Sequence, residues 1–108
     1  MKFKPYIRKV NYYETDRMSI VHHSNYIRYF EEARIYAMEQ IGCDLIEMER
    51  QNMIIPVVDV YAKYHKSLCC LDEFAVYIKM TYFNGVKQKF DYEIRFTSDN
   101  SLACTGHS

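Results

Sequence analysis

Asp16, His22, His23, Ser24 and Asn25 fall in one short run that leads from an aromatic strand end, Tyr12-Tyr13, into an amphipathic helix. Nothing else in the chain restricts the fold as much, because the run fixes a strand, a polar loop and a buried helix in that order. Ser24 and Asn25 are N-cap candidates, since their side-chain oxygens accept the backbone N–H groups that a first helical turn leaves unpaired. The helix is therefore expected to begin between His23 and Tyr26. Tyr26, Phe30, Ala33, Ala37 and Ile41 recur at steps of three and four, which lays one apolar stripe along it and calls for burial of that face. Gly42 ends it, because glycine takes the left-handed C′ conformation without a Cβ penalty. Such a helix start carries roughly half a positive charge and free N–H donors, and so suits an anion or a carbonyl oxygen aimed at it.

Asp16 lies within loop reach of that helix end. A carboxylate there has two readings: it caps a turn, or it works as a base or nucleophile beside an oxyanion-stabilising helix terminus.

The rest of the chain supplies a sheet. Tyr6 to Tyr13 reads as a strand, rich in aromatic and β-branched residues, after Pro5. Asp44 to Gln51 suggests a short second helix with Asp44 as its cap. Ile54 to His65 alternates, with Ile54, Pro56, Val58, Val60 and Ala62 as the core face and Pro56 pointing to an edge or bulge. Phe74-Val76-Ile78-Met80-Tyr82 alternates with Ala75-Tyr77-Lys79-Thr81 as a half-buried strand. Asn84-Gly85 suits a type I′ turn, and Phe90-Tyr92-Ile94-Phe96 is the returning strand. Thr97 to Ser101 is a turn cluster, and Leu102 to Ser108 opens a last strand. One strand, a long helix and several antiparallel strands make an α+β domain in which a sheet wraps the helix. At 108 residues, a single domain spanning 1–108 is expected.

Composition excludes several functions. Lys plus Arg and Asp plus Glu number 14 each, so no charge excess argues for nucleic acid or an anionic membrane. No stretch approaches the roughly 20 apolar residues of a bilayer span, and residues 1–5 lack a signal-peptide core, so a cytoplasmic protein is expected. The four cysteines lack framework spacing and are expected to be reduced thiols. His22, His23, His65 and His107 show no metal-ligand spacing, so no metal site is expected. The eleven tyrosines and six phenylalanines exceed what a core of this size requires, which points to an interface or ligand slot and to a homo-oligomer.

The ordered set Asp16, His23, Asn25-Tyr26 and Glu31 resembles the signature of the hot-dog-fold acyl-CoA thioesterases of the 4-hydroxybenzoyl-CoA thioesterase-like family, and weaker likeness runs through Ile54-Ile55-Pro56-Val57-Val58 to Ala103-Cys104-Thr105-Gly106-His107. Two positions depart from it. Ser19 stands where the family usually has glycine, and Glu14-Thr15 precedes Asp16 where many relatives carry an Asp-x-Asp pair. The resemblance implies a hot-dog fold whose last strand continues further than Ser108, so that strand is expected to be truncated here.

It also implies hydrolysis of an acyl-CoA thioester to the free acid and coenzyme A. Asp16 would be general base or nucleophile, and the backbone N–H of His23 or its neighbours would polarise the carbonyl. Beyond the thioester, whose coenzyme A is part of the substrate, no cofactor is expected. Asn25, Tyr26 and Glu31 become pocket residues on this reading, whereas Glu31 alone reads as part of a solvated face with Arg28 and Arg34. His23 by itself reads as a cap or a packed residue. Family members pair their sheets as homodimers or homotetramers, with the acyl slot at the subunit boundary, where Tyr61 and Tyr64 of the partner are expected to line it. Lys63, His65 and Lys66 form a basic cluster that suits coenzyme A phosphates or is a solvated strand end. Acyl carrier protein is an alternative thioester carrier. A non-catalytic acyl-thioester binding module and an acyl-thioester dehydratase remain alternatives on the same fold.

Overall fold

A computed structural model describes residues 3–42, 50, 59–83 and 88–108. Strand β1 (Tyr6–Lys9) leads through a 3₁₀ turn (Tyr12–Glu14) and the Asp16 loop into α1 (Ser24–Gln40). Strands β2 (Tyr61–Tyr64), β3 (Glu73–Phe83), β4 (Gln88–Phe96) and β5 (Leu102–His107) follow. They form a sheet in the order β1-β3-β4-β5-β2, with every pairing antiparallel. This is the helix-on-sheet α+β arrangement expected from the sequence, and it is the hot-dog fold.

Helix α1 buries Tyr26, Tyr29, Phe30, Ala33, Ala37 and Met38 against the sheet. The ring of Tyr29 meets Phe74 at 4.6 Å, and Phe30 stacks on Tyr92 at 4.5 Å. Small residues at 33 and 37 bring the helix axis close to the strands, so these large rings reach across to β3 and β4. Ile41, expected in the stripe, lies past the last helical turn and is 39% exposed. Gly42 takes φ +80° and donates its N–H to the Glu39 carbonyl, as a C′ glycine does.

The β3–β4 pairing follows its period-2 pattern, with Phe74, Val76, Ile78, Phe90, Tyr92, Ile94 and Phe96 buried. The pattern fails at Tyr82, which is exposed, because a register shift between Met80 and Tyr82 turns the strand over.

The first strand is shorter than expected. It stops at Lys9 because Glu14 and Thr15 donate their N–H groups to the Asn11 and Tyr12 carbonyls and close a 3₁₀ turn, which leaves Tyr12 and Tyr13 exposed. Of the strand expected over 54–65, Tyr61–Tyr64 are seen as β2, while residues 59, 60 and 65 lie outside it, and Val60, placed on the core face, is exposed because it precedes the paired residues. The second helix at 44–51, residues 54–58 of that strand and the Asn84-Gly85 turn lie outside the described residues. No helix among the described residues is long and apolar enough to cross a membrane.

Candidate active site at the start of α1

Asp16 sits in a tight loop closed by its own hydrogen bonds. Its N–H donates to the Ile20 carbonyl at 2.9 Å, its carbonyl accepts Ser19 N–H at 3.0 Å, and its Oδ1 accepts Met18 N–H at 2.8 Å. That last bond is an Asx turn, which orients the carboxylate and leaves Oδ2 without a partner among the described residues. Ser19 closes the loop at φ +62°, the left-handed region that glycine adopts more cheaply. The loop then docks on the turn after β2, where Val21 N–H reaches the Leu68 carbonyl at 2.8 Å and Cys70 N–H reaches the Ser19 carbonyl at 3.1 Å.

The other half of the site is the helix start. His23, not Ser24 or Asn25, occupies the N-cap position, and it makes no side-chain cap bond. The imidazole of His22 takes that part: its Nδ1 accepts Ser24 N–H at 3.3 Å and lies 2.9 Å from Ser24 Oγ. The His22 and His23 rings lie 4.2 Å apart. The His23 carbonyl accepts Tyr26 N–H and the Tyr64 hydroxyl, while the His23 backbone N–H has no acceptor among the described residues. Asn25 is drawn away from capping because its Nδ2 donates to the Glu14 carbonyl at 2.9 Å.

Asp16, His22, His23 and Tyr26 line one open cleft of about 330 Å³, to which Tyr64, His65 and Lys66 contribute from the end of β2. Tyr26 is buried at its inner end. Its hydroxyl accepts Leu68 N–H at 3.1 Å, and its ring meets Tyr64 edge-on at 4.9 Å. Burial raises the phenol of Tyr26, and to a lesser burial that of Tyr64, above the ordinary tyrosine value, so both stay neutral hydroxyls.

Of the residues the sequence marks, Asp16, His23, Tyr26 and Tyr64 thus meet at one cleft. Asn25 is buried behind it, Glu31 is exposed further along α1, and Lys63 is exposed on β2. Tyr61 stacks on His107 at 5.0 Å. Lys66 places its Nζ 4.8 Å from the Phe96 ring, within cation–π range.

Sequence reasoning missed the capping role of His22 and the pairing of Glu14. The acid two places before Asp16 does not turn toward it: Glu14 is 4% exposed and bonds Arg8 Nη2 at 2.6 Å and Asn11 N–H at 2.8 Å. Arg8 also reaches Glu32 of α1 at 2.6 Å. β1 turns Ile7 outward and Arg8 inward, the reverse of what their polarity suggests, so no sequence signal marked the pair.

Comparison with known proteins bears on the family and the fold. Residues 10–108 match the model of the thioesterase-like superfamily. A candidate esterase of Aquifex aeolicus is 37% identical over 91% of this chain and 76% of its own length. A candidate acyl-CoA thioesterase of Bacillus subtilis, YneP, is 34% identical over 80% of this chain and 62% of its own length. Among solved structures, the DHNA-CoA thioesterase of Staphylococcus aureus superposes with a TM-score of 0.93 at 30% identity, covering 99% of this chain and 71% of that one.

Proposed function

The chain belongs to the thioesterase-like superfamily, and from that premise we propose that it hydrolyses an acyl-CoA thioester with Asp16 as the catalytic carboxylate. The observation that carries this reading is the convergence, at one cleft, of an oriented carboxylate and a helix start, each with an oxygen or N–H that has no partner among the described residues.

In the base route, Asp16 takes a proton from water, the water oxygen attacks the thioester carbonyl carbon, and negative charge gathers on the carbonyl oxygen. The His23 N–H and the positive end of α1 are suited to hold that charge, a contribution of about 3 kcal/mol where single oxyanion donors have been removed from enzymes. Collapse breaks the C–S bond, and the departing coenzyme A thiolate takes up a proton. In the nucleophile route, Asp16 Oδ2 attacks the carbonyl carbon itself, the C–S bond breaks and the coenzyme A thiolate leaves and takes up a proton, and water then hydrolyses the mixed anhydride to the free acid and the Asp16 carboxylate. Either route runs on a carboxylate and water, with no metal or redox cofactor required.

We also read the protein as a homodimer or homotetramer. Among the described residues β2 is an edge strand with β5 alone beside it, and Tyr61, Lys63 and Tyr64 along it are exposed. A second copy pairing there would bring these side chains toward the neighbouring cleft. This gives Tyr61 and Lys63 a place in the site that one protomer does not provide.

Free-thiol release from short, medium, long and aromatic acyl-CoAs tests the activity. Release from at least one member supports hydrolysis, and tight binding of acyl-CoA without release from any of them overturns it in favour of a binding module.

A further inference from the structure

The loop that carries Asp16 is held to α1 through Glu14. The Glu14 carbonyl accepts His22 N–H at 3.0 Å and Asn25 Nδ2 at 2.9 Å. Its carboxylate is fixed in turn by Arg8 and Asn11 N–H, so Glu14 itself has little freedom. The amide of Asn25 faces a carbonyl, which requires its nitrogen, the donor, on that side.

Asn25 is 8% exposed, an expensive place for an amide that could have been an apolar side chain. Satisfying an orphan acceptor does not explain it, because the Glu14 carbonyl is already paired with His22 N–H. A carbonyl with one partner tolerates an empty second lone pair. What the second bond adds is direction. Thr15 N–H holds the other side of that peptide to the Tyr12 carbonyl, within the same turn, and His22 N–H ties the carbonyl only to a residue before the helix; Asn25 ties it to the first turn of α1 itself. Asp16 follows two residues later, at the start of the closed loop.

We propose that Asn25 is a positioning residue, which clamps the Glu14 carbonyl and so sets the Asp16 carboxylate against the N-terminus of α1. This rests on the reading of Asp16 as the catalytic carboxylate. Asn25 acts through Asp16 rather than by touching the substrate, so its loss lowers kcat and leaves KM nearly unchanged. A displacement of about 1 Å at a reacting group costs on the order of a hundredfold in rate. Stability changes little, because no buried group is left without a partner.

Asn25→Ala and Asn25→Leu test this together, the second filling the volume without a donor. Three quantities are read on the full chain: kcat and KM on a thioester that the wild type hydrolyses, the thermal midpoint, and amide hydrogen exchange of the 14–22 segment against that of β3 and β4. The expected result in both variants is a fall in kcat of roughly 10- to 100-fold with KM within about threefold. Exchange in 14–22 should quicken about tenfold, the equivalent of one hydrogen bond, with β3 and β4 unchanged. An unchanged kcat in a protein that Asp16→Asn inactivates overturns the proposal. So does a loss of activity that tracks a lowered midpoint and faster exchange throughout, which marks a structural role only. If the wild type hydrolyses no thioester, the functional reading has failed separately, and unchanged exchange at 14–22 in both variants overturns the clamp itself.

Discussion

Ser19 sits at φ +62°, in the left-handed region that glycine adopts more cheaply. For an L-residue that conformation costs roughly 1–2 kcal/mol, against which the added freedom of an unfolded glycine must be set. Ser19→Gly is therefore expected to raise stability by up to about 1 kcal/mol, read as a shift in urea midpoint without a change in slope. Its neighbours show what a sequence does and does not carry at this scale. Asp16, His23 and Tyr26 were legible because they lie in one local string, and the loop and helix start that it encodes bring them to one cleft. The Arg8–Glu14 pair was not, since a buried salt bridge between a strand and a loop depends on which face of β1 is turned inward. Four residues with Ile7 among them give no clear phase.

Among elements, the strands β3 and β4 and their pairing were readable from their alternation, with Asn84-Gly85 between them as the expected turn, whereas the early end of β1 was hidden because Tyr12 and Tyr13 have strand propensity and sit in a turn. Local backbone bonds from Glu14 and Thr15 overrode that propensity. The contact of β5 with α1 and β2 was equally hidden, because glycine carries no pattern. A Cβ on Gly106 would stand 2.4 Å from the Tyr61 carbonyl oxygen and 2.5 Å from the Phe30 ring. The first of these is backbone of the neighbouring strand, so Gly106→Ala must push β2 or α1 outward. A loss of about 1–3 kcal/mol is expected from overpacking. Because β2 ends in Tyr64, which is bonded to His23, acyl-CoA turnover should fall as well. Denaturant melts and initial rates on the same preparation check both, and a variant as stable as the wild type would contradict the close approach of these elements.

For the molecule as a whole, the buried titratable groups set how stability depends on pH. Burial pushes the Cys104 thiol from 9.0 up to about 12, and it raises the phenols of Tyr26, Tyr29 and Tyr92 above 10.0. Each group keeps its proton in the folded state at a pH where the unfolded chain has lost it. The unfolded chain then binds fewer protons, so stability falls as pH rises. The contribution is complete below about pH 9 and is lost progressively towards pH 12. Urea midpoints at pH 8, 10 and 11 should decrease in that order, and a midpoint that holds constant would show that these groups are solvated.

The most direct test of the whole is the rate of acyl-CoA hydrolysis by Asp16→Asn beside the wild type, at equal thermal midpoint and far-ultraviolet spectrum. Asparagine keeps the Oδ1 that accepts Met18 N–H and removes the charge and the basicity, so the loop should stay closed. A fall in kcat of at least about a hundredfold is expected, the usual share of a general base or nucleophile. A folded variant that turns over at the wild-type rate would contradict the assignment of the chemistry to Asp16.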